Sequence, residues 1–198
     1  HALADNELVL LGAVSSLAVM RCYEGLEIAR HSSDCYPVLV LPLDSFTRIF
    51  EQLNPGGTRP DFLCFSFVRL GGKLRVQVDI LEAKWRSDVP SYGELQRMLS
   101  EQVVPFKESL AAYFELNGAP QSDAAAAVLL SELIAAAVRL KEAVCPDDPA
   151  CAGLNGAKVI TEITAALFSG DAEVEFGKNI ILACVSGAAE RCSLSIEG

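Results

Sequence analysis

Positive charge is scarce in this chain. Only 16 Lys and Arg residues stand against 26 Asp and Glu, which gives a formal net charge of −10 over 198 residues. Proteins that bind nucleic acid usually present a basic surface, because much of their affinity comes from neutralising phosphates. The composition therefore argues against binding of nucleic acid through the net charge of the chain. It leaves room for a local basic rim, such as one formed near the middle of the chain by Arg59, Arg69, Lys73, Arg75, Arg86 and Arg97.

Several sequence motifs are also missing. His31 is the only internal histidine, so no Ser-His-Asp arrangement can be argued. Neither Gly-Gly pair is followed by the Lys-Ser/Thr of a phosphate-binding loop, so an ATPase activity would have to reside on another part of the protein or on a partner. The seven cysteines form no Cys-x-x-Cys. Cys145 and Cys151 could form a disulfide or a metal clip, but reduced thiols are the preferred interpretation and favour a cytoplasmic location.

Long hydrophobic runs are absent as well. The longest uncharged stretch near the start, Leu8 to Met20, is 13 residues and is too short to span a bilayer. Asp5 and Glu7 precede it where a signal peptide would carry basic charge. We therefore expect no membrane partner. Because the chain begins at His1 rather than Met, we also expect it to be a piece of a longer protein, with other domains or subunits beside it.

Residues 60–84 carry the strongest pattern. Two runs rich in β-branched and aromatic residues flank Gly71-Gly72, and such a pair suits a two-residue hairpin turn because that turn needs positive φ. With this turn, an apolar face pairs Leu63, Phe65 and Phe67 with Ile80, Val78 and Val76. A more polar face pairs Cys64, Ser66 and Val68 with Asp79, Gln77 and Arg75.

The same register brings two acids together at the open end of the hairpin. Asp61 faces Glu82, with their Cβ atoms roughly 5 Å apart, and Lys84 leaves the same face two residues later. Opposed carboxylates repel unless a cation lies between them or one is protonated. A hard divalent ion accepts such oxygen ligands, and a neighbouring lysine can orient or deprotonate a water. The pattern predicts a hydrolytic site.

These residues resemble a known signature. Pro60-Asp61, then twenty residues, then Glu82-Ala83-Lys84 is similar to the motif of the PD-(D/E)XK nuclease superfamily, and the resemblance covers about the first 115 residues. It implies that Asp61, Glu82 and the carbonyl of Ala83 bind Mg²⁺ or Mn²⁺, and that Lys84 assists the attacking water. The alternative is that Lys84 is a surface ion-pair partner and Asp61 a turn residue.

The resemblance also implies secondary site residues. Family members often add an acid from the first helix to the metal site, for which Glu7 is preferred over Glu24 and Glu27, although a helix N-terminal acid is equally explained by the helix dipole. They often place a glutamine after the lysine, here Gln96 or Gln102, where it contacts DNA or water. Trp85 and Arg86 could line the cleft or stack on a base, although such a Trp more often closes the core.

The remaining elements indicate an α/β fold. We predict a helix over 5–31, a strand over Tyr36–Pro42, a short helix from Asp44 through Gln52, and a helix from the Ser91-x-x-Glu94 capping box to Leu116 that Pro105 kinks or divides. An Ala-rich helix to Val144, a helix over 157–168 and strands over 179–185 and 192–196 follow. Residues 1–120 would form a restriction-endonuclease-like core, a mixed sheet flanked by helices. Residues 121–198 would be a helical extension whose terminal strands complete the same domain.

The function expected from this reading is metal-dependent hydrolysis of DNA phosphodiester bonds, within a larger prokaryotic phage-defence or DNA-processing system. The alternative from another class is a catalytically silent module that keeps the fold and docks a partner protein through its acidic surface. A member of the superfamily that cleaves RNA is a third possibility. A basic rim around Asp61 would favour the enzyme, and an acidic rim would favour the docking module.

Overall fold

The structure is a computed structural model that describes residues 36–53, 56–86, 90–116, 124–144 and 155–185. Four predictions lie outside these ranges: the helix over 5–31 with Glu7, the strand over 192–196, and the state of Cys145 and of Cys151. Within the described ranges, no helix is both long enough and apolar enough to cross a membrane.

A four-stranded mixed sheet forms the centre of the fold. Its strands lie in chain order: β1 (Leu39–Pro42), β2 (Phe62–Leu70), β3 (Lys73–Arg86) and β4 (Ala172–Val185). β1 and β2 pair antiparallel, as do β2 and β3, whereas β4 runs parallel to β3. Helices flank the sheet, so the α/β class and the mixed sheet are as predicted.

The hairpin of β2 and β3 has the predicted register. Leu63 pairs with Ile80, Phe65 with Val78, and Phe67 with Val76. All six are almost completely buried and belong to the main hydrophobic core. Gly71 and Gly72 have φ values of 59° and 89°, which is the conformation that the two-residue turn requires. Turn chemistry and the apolar alternation therefore agree on a single pairing.

The second face of the hairpin is more polar, as predicted, and part of it is buried. Cys64, Ser66 and Asp79 are each no more than 5% exposed. Buried polar groups need hydrogen-bond partners, and Asp79 accepts bonds from the Gln77 side chain and from the backbone of β4.

Five helices surround the sheet in the described ranges. A 3₁₀ turn, Leu43–Phe46, leads into α1 (Thr47–Leu53); α2 spans Tyr92–Met98, α3 Val104–Leu116, α4 Ala124–Val144 and α5 Gly156–Ser169. The predicted capping box is present, since Ser91 accepts from the Glu94 backbone and the Glu94 side chain accepts from the Ser91 backbone. Asn155 caps α5, and Gly170 ends it with a φ of 80°.

The helix predicted from Ser91 to Leu116 is divided near Pro105, as expected. A π-helical turn, Leu99–Val103, separates α2 from α3. Proline lacks an N–H and its ring clashes with the carbonyl one turn earlier, so the chain widens there instead of continuing as a regular α-helix. The turn contacts both β4 and β3, the strand that carries Glu82.

The edge strand corrects one prediction. We expected a strand over 179–185, and that segment does join the edge of the sheet, but β4 begins at Ala172. The missed part has a period-2 signal, in which Glu173 and Glu175 alternate with Val174 and Phe176. The first strand is shorter than predicted, starting at Leu39 rather than at Tyr36.

Candidate functional site

The candidate site lies where the hairpin opens. The β2 strand begins at Phe62, which pairs with Leu81, while β3 continues to Arg86 alongside β4. Asp61 therefore lies immediately before its strand, beside the part of β3 that has no further β2 residue to pair with. Its carbonyl accepts a hydrogen bond of 2.9 Å from the Leu43 backbone, which joins the start of β2 to the end of β1.

Each of the two acids is held by the backbone of the other strand. Asp61 Oδ2 accepts a hydrogen bond of 2.8 Å from the Ala83 N–H, and Glu82 Oε2 accepts one of 3.1 Å from the Asp61 N–H. The N–H and C=O of a strand residue leave the same edge, so the Ala83 carbonyl also faces the Asp61 side. The structure thus brings Asp61, Glu82 and Ala83 together, as the sequence pattern predicts.

Lys84 is part of the same group. Its Nζ forms an ion pair with Glu82 Oε1. The Lys84 side chain is 32% exposed, whereas that of Glu82 is 3% exposed. The ammonium group can therefore reach solvent or a ligand while it remains beside a buried carboxylate. This contact alone is also what a structural ion pair would make, so it does not by itself distinguish the two interpretations of Lys84.

Burial dominates the electrostatics of the acidic pair. Loss of solvent raises the pKa of Asp61, while the hydrogen bond from Ala83 and the charge of Lys84 oppose that rise. Burial likewise raises the pKa of Glu82; the hydrogen bond from Lys84 opposes this rise, and the neighbouring Asp61 adds to it. Two desolvated like charges in contact are unfavourable, and a bound cation or a proton would relieve that cost.

We expect Asp61→Asn to raise the melting temperature at pH 7. The carboxyl pKa is higher in the folded than in the unfolded state, so the stability present below pH 4 is lost as pH rises through the folded-state pKa. The amide keeps an acceptor for the Ala83 N–H. Thermal unfolding at pH 7 and at about pH 3, below the pKa of the unfolded carboxyl, tests this, because the gain in melting temperature should shrink at the lower pH; an equal gain at both would contradict it.

Acidic and basic residues next to the site form a further pair. Arg59 Nη2 lies 2.8 Å from Asp44 Oδ1, and both charges influence the pKa of Asp61. Thr58 donates a hydrogen bond of 2.8 Å to the Glu101 carbonyl in the π-helical turn. The segment before β2 is thus tied to that turn. Sequence reasoning missed these links because they join parts of the chain that no local pattern connects.

The remaining predicted site residues differ in their exposure and in their hydrogen bonding. Gln96 is exposed on α2, where its amide donates to the Tyr92 hydroxyl, so it has the solvent-facing position that is the default for such a residue. Gln102 lies in the π-helical turn, and its Oε1 is buried without a hydrogen-bond partner among the described residues. Trp85 and Arg86 belong to β3, but their side chains lie outside the described part, as does all of Glu7.

The predicted basic rim is partly neutralised. At the turn end of the hairpin, Lys73 lies 3.1 Å from Glu173, and Arg75 lies 3.6 Å from Glu175. Both acids belong to the part of β4 that the sequence reading missed. Arg69 lies 3.4 Å from the Tyr36 hydroxyl. Near Asp61 itself the exposed charges are of both signs, with Arg59 and Lys84 beside Asp44.

The donor set suits a hard divalent cation. No group of three or more His, Cys, Asp and Glu side chains arranged for a metal occurs within the described residues. Two carboxylates and one backbone carbonyl are nevertheless sufficient for Mg²⁺, which keeps several waters and commonly uses one or two carboxylates together with substrate phosphates. All these donors are oxygens, and both carboxylates are desolvated. The residues present therefore fit the metal that the resemblance implies.

Comparison of the chain with models of protein families, with curated proteins and with solved structures found no match. The geometry of the site and the motif that its residues form are therefore the basis for assigning a function to this chain.

Proposed function

We propose that this chain is a metal-dependent nuclease that hydrolyses DNA phosphodiester bonds with Mg²⁺ or Mn²⁺. One observation carries the proposal: Asp61 and Glu82 lie together on one face of a hairpin. The side chain of each accepts a hydrogen bond from the backbone opposite it, and Lys84 forms an ion pair with Glu82. Charged carboxylates are costly in such a buried place unless a cation offsets their charge. Lys84 supplies one positive charge beside the two carboxylates, so a bound cation would offset the charge that remains.

The fold supports the same proposal. The PD-(D/E)XK resemblance implies a mixed sheet flanked by helices, with the acids on adjacent strands of a hairpin and the lysine two residues after the glutamate. The observed mixed sheet has that form, and a helix follows the lysine strand. As part of the proposal, the chain acts in the cytoplasm within a larger DNA-processing or phage-defence system, alongside other domains or subunits and an ATPase.

Each residue of the site has a definite role in this mechanism. Asp61, Glu82 and the carbonyl of Ala83 would hold the cation, and the hydrogen bonds between the strands keep both carboxylates in position. When bound, a divalent cation lowers the pKa of water and offsets negative charge on the phosphate. Lys84 Nζ, partly exposed beside Glu82, would orient the attacking water as an ammonium and, after releasing its own proton to solvent, would accept the proton of that water. The half-buried setting strengthens each of these interactions.

Metal binding is the first test of the proposal. We expect Mn²⁺ titration by calorimetry to show one site in the parent chain, with affinity at least about tenfold weaker in Asp61→Asn. Asp171→Asn is a matched control, because it makes the same substitution at an exposed aspartate near the turn end of the hairpin. Cleavage of supercoiled plasmid, linear duplex and single-stranded DNA would then be assayed with Mg²⁺. Equal Mn²⁺ affinity in all three proteins would contradict the proposed metal site.

A second function is favoured by one specific observation. Lys73 and Arg75, which could otherwise contact phosphates, pair with Glu173 and Glu175, and the chain as a whole is acidic. These features suit a catalytically silent module that docks the basic surface of a partner protein. Metal binding without cleavage of any DNA form, or of RNA, would favour this alternative. Cleavage of RNA alone would favour a ribonuclease built on the same site.

A further inference from the structure

A β-bulge interrupts the pairing of β3 with β4 close to the acidic pair. Val78 pairs with Phe176 and Ile80 with Asn179, so the single residue Asp79 lies opposite Gly177 and Lys178. Side chains alternate between the two faces of a strand, and the extra residue reverses the alternation. With regular pairing, Lys178 would lie beside Ile80. The bulge places Asn179 there instead, on the same face as Glu82.

Dedicated contacts stabilise the bulge. Asp79 Oδ1 accepts hydrogen bonds of 2.7 Å from the Lys178 N–H and of 2.9 Å from the Gln77 amide. A Cβ on Gly177 would lie 2.2 Å from that same oxygen, so only glycine fits without displacing it. Lys107 on α3 donates a hydrogen bond of 2.9 Å to the Gly177 carbonyl. Bulges held in this way often re-aim a side chain next to a functional site.

The buried side chain of Asn179 does not contribute to stability in the way a core residue normally does. It is only 4% exposed, yet its Oδ1 has no hydrogen-bond partner among the described residues. Its neighbours on this face, Ile80 and Ile181, are buried and apolar. An unsatisfied buried acceptor is destabilising relative to a satisfied one. An apolar residue would pack there without that cost.

A second unsatisfied amide oxygen lies on the element that covers these strands. Gln102 Oε1 is buried without a partner in the described ranges, and its π-helical turn contacts both β3 and β4. Such π-turns often occur at functional sites. An unsatisfied amide oxygen thus occurs at two separate irregularities of the backbone near the strand of Glu82. One is beside the bulge in β4, and the other is in the π-helical turn.

We propose that Asn179 is a positioning residue of the metal site, whose Oδ1 accepts hydrogen bonds from the water shell of the divalent cation held by Asp61 and Glu82. The inference rests on the proposed function. Glu82 pairs with Ile181, which lies two residues after Asn179 on the same face of β4. Glu82 and Asn179 are therefore diagonal neighbours, with their Cβ atoms about 7–8 Å apart. One bridging water spans such a separation, and amide oxygens are natural acceptors for metal-bound water.

Mn²⁺ titration and thermal unfolding of two variants test the inference without any measurement of activity. Asn179→Leu should weaken Mn²⁺ binding by about three- to tenfold, while the metal-free melting temperature stays equal or rises. Asn179→Asp adds a third carboxylate, and should tighten Mn²⁺ binding by about tenfold while lowering the metal-free melting temperature, with Mg²⁺ restoring it. Asn155→Asp is the matched control, because aspartate is an equally good helix cap and adds the same charge at the N-cap of α5.

The outcomes separate the inference from the proposed function. Parent-like Mn²⁺ affinity in both Asn179 variants, with normal binding by the parent, overturns the role of Asn179 and leaves the proposed function standing. A lower melting temperature for Asn179→Leu with unchanged affinity likewise overturns it, because a purely structural residue would give that result. Absence of Mn²⁺ binding by the parent would overturn both. If Asn179→Asp does not fold, Asn179→Leu still decides the question.

Discussion

Replacing Lys84 with methionine should lower the rate of DNA cleavage by about 10²–10⁴-fold at saturating Mg²⁺ and DNA, the range typical for loss of a positioned proton-transfer group. Mn²⁺ should bind at least as tightly as in the parent, because the substitution removes a positive charge next to the cation without removing a ligand. Single-turnover cleavage and calorimetric titration measure the two effects separately. Reduced cleavage with retained metal affinity distinguishes a proton-handling lysine from a metal ligand.

Two control variants sharpen that test. Lys158→Met makes the same substitution at a 71% exposed lysine on α5, which pairs one turn along its own helix with Glu162, and its cleavage rate should match the parent. Lys84→Arg keeps a positive charge beside Glu82, but a guanidinium does not give up its proton, so cleavage should remain low. Parent-like cleavage by Lys84→Met would show that Lys84 is only a structural partner of Glu82.

Replacing Gly177 with alanine should destabilise the protein by about 2–3 kcal/mol, in the range of overpacked or broken buried networks. The new Cβ would lie 2.2 Å from Asp79 Oδ1 and 2.7 Å from the Gln77 amide nitrogen. Asp79 would have to move, and its hydrogen bonds to the Lys178 N–H and to Gln77 would be lost in a place that is only 1% exposed. Urea unfolding monitored by circular dichroism measures the change.

Gly93→Ala is the matched control for this substitution. Gly93 lies in the first turn of α2, and a Cβ built there meets nothing within 4 Å. Alanine favours a helix over glycine, so we expect a gain of up to about 0.5 kcal/mol. A loss below about 0.5 kcal/mol for Gly177→Ala, within the range of ordinary surface substitutions, would mean that the bulge can reorganise around a side chain. Asn179 would then not depend on a fixed backbone for its position.

The acidic pair could be predicted from sequence because each step of the argument is local. Gly71 and Gly72 set the turn, the alternation of Leu63, Phe65 and Phe67 sets the face, and the register then places Asp61 beside Glu82. A two-residue turn allows one register, and a slip by one residue would move every apolar side chain out of the core. The capping box at Ser91 and the interruption near Pro105 are local in the same way.

Tertiary structure decided the register of β4, its start at Ala172 and its bulge. Asp79 and the Lys178 backbone that it binds are 99 residues apart in sequence, and the parallel pairing of their strands leaves no turn from which a register could be inferred. Whether Lys178 or Asn179 faces the acids depends on one bulged residue, which alternation alone cannot reveal. The neutralisation of Lys73 by Glu173 has the same origin.

The sequence by itself therefore determined the hairpin, its buried face and the meeting of Asp61, Glu82 and Lys84, because neighbouring residues set that geometry through turn chemistry and side-chain alternation. Only the tertiary structure decided how deeply the carboxylates are buried, which basic residues remain available and which amide shares their face. Those properties depend on the packing of distant segments against the hairpin. The desolvation of a carboxylate, unlike the alternation of side chains along a strand, cannot be inferred from the residues next to it in the sequence.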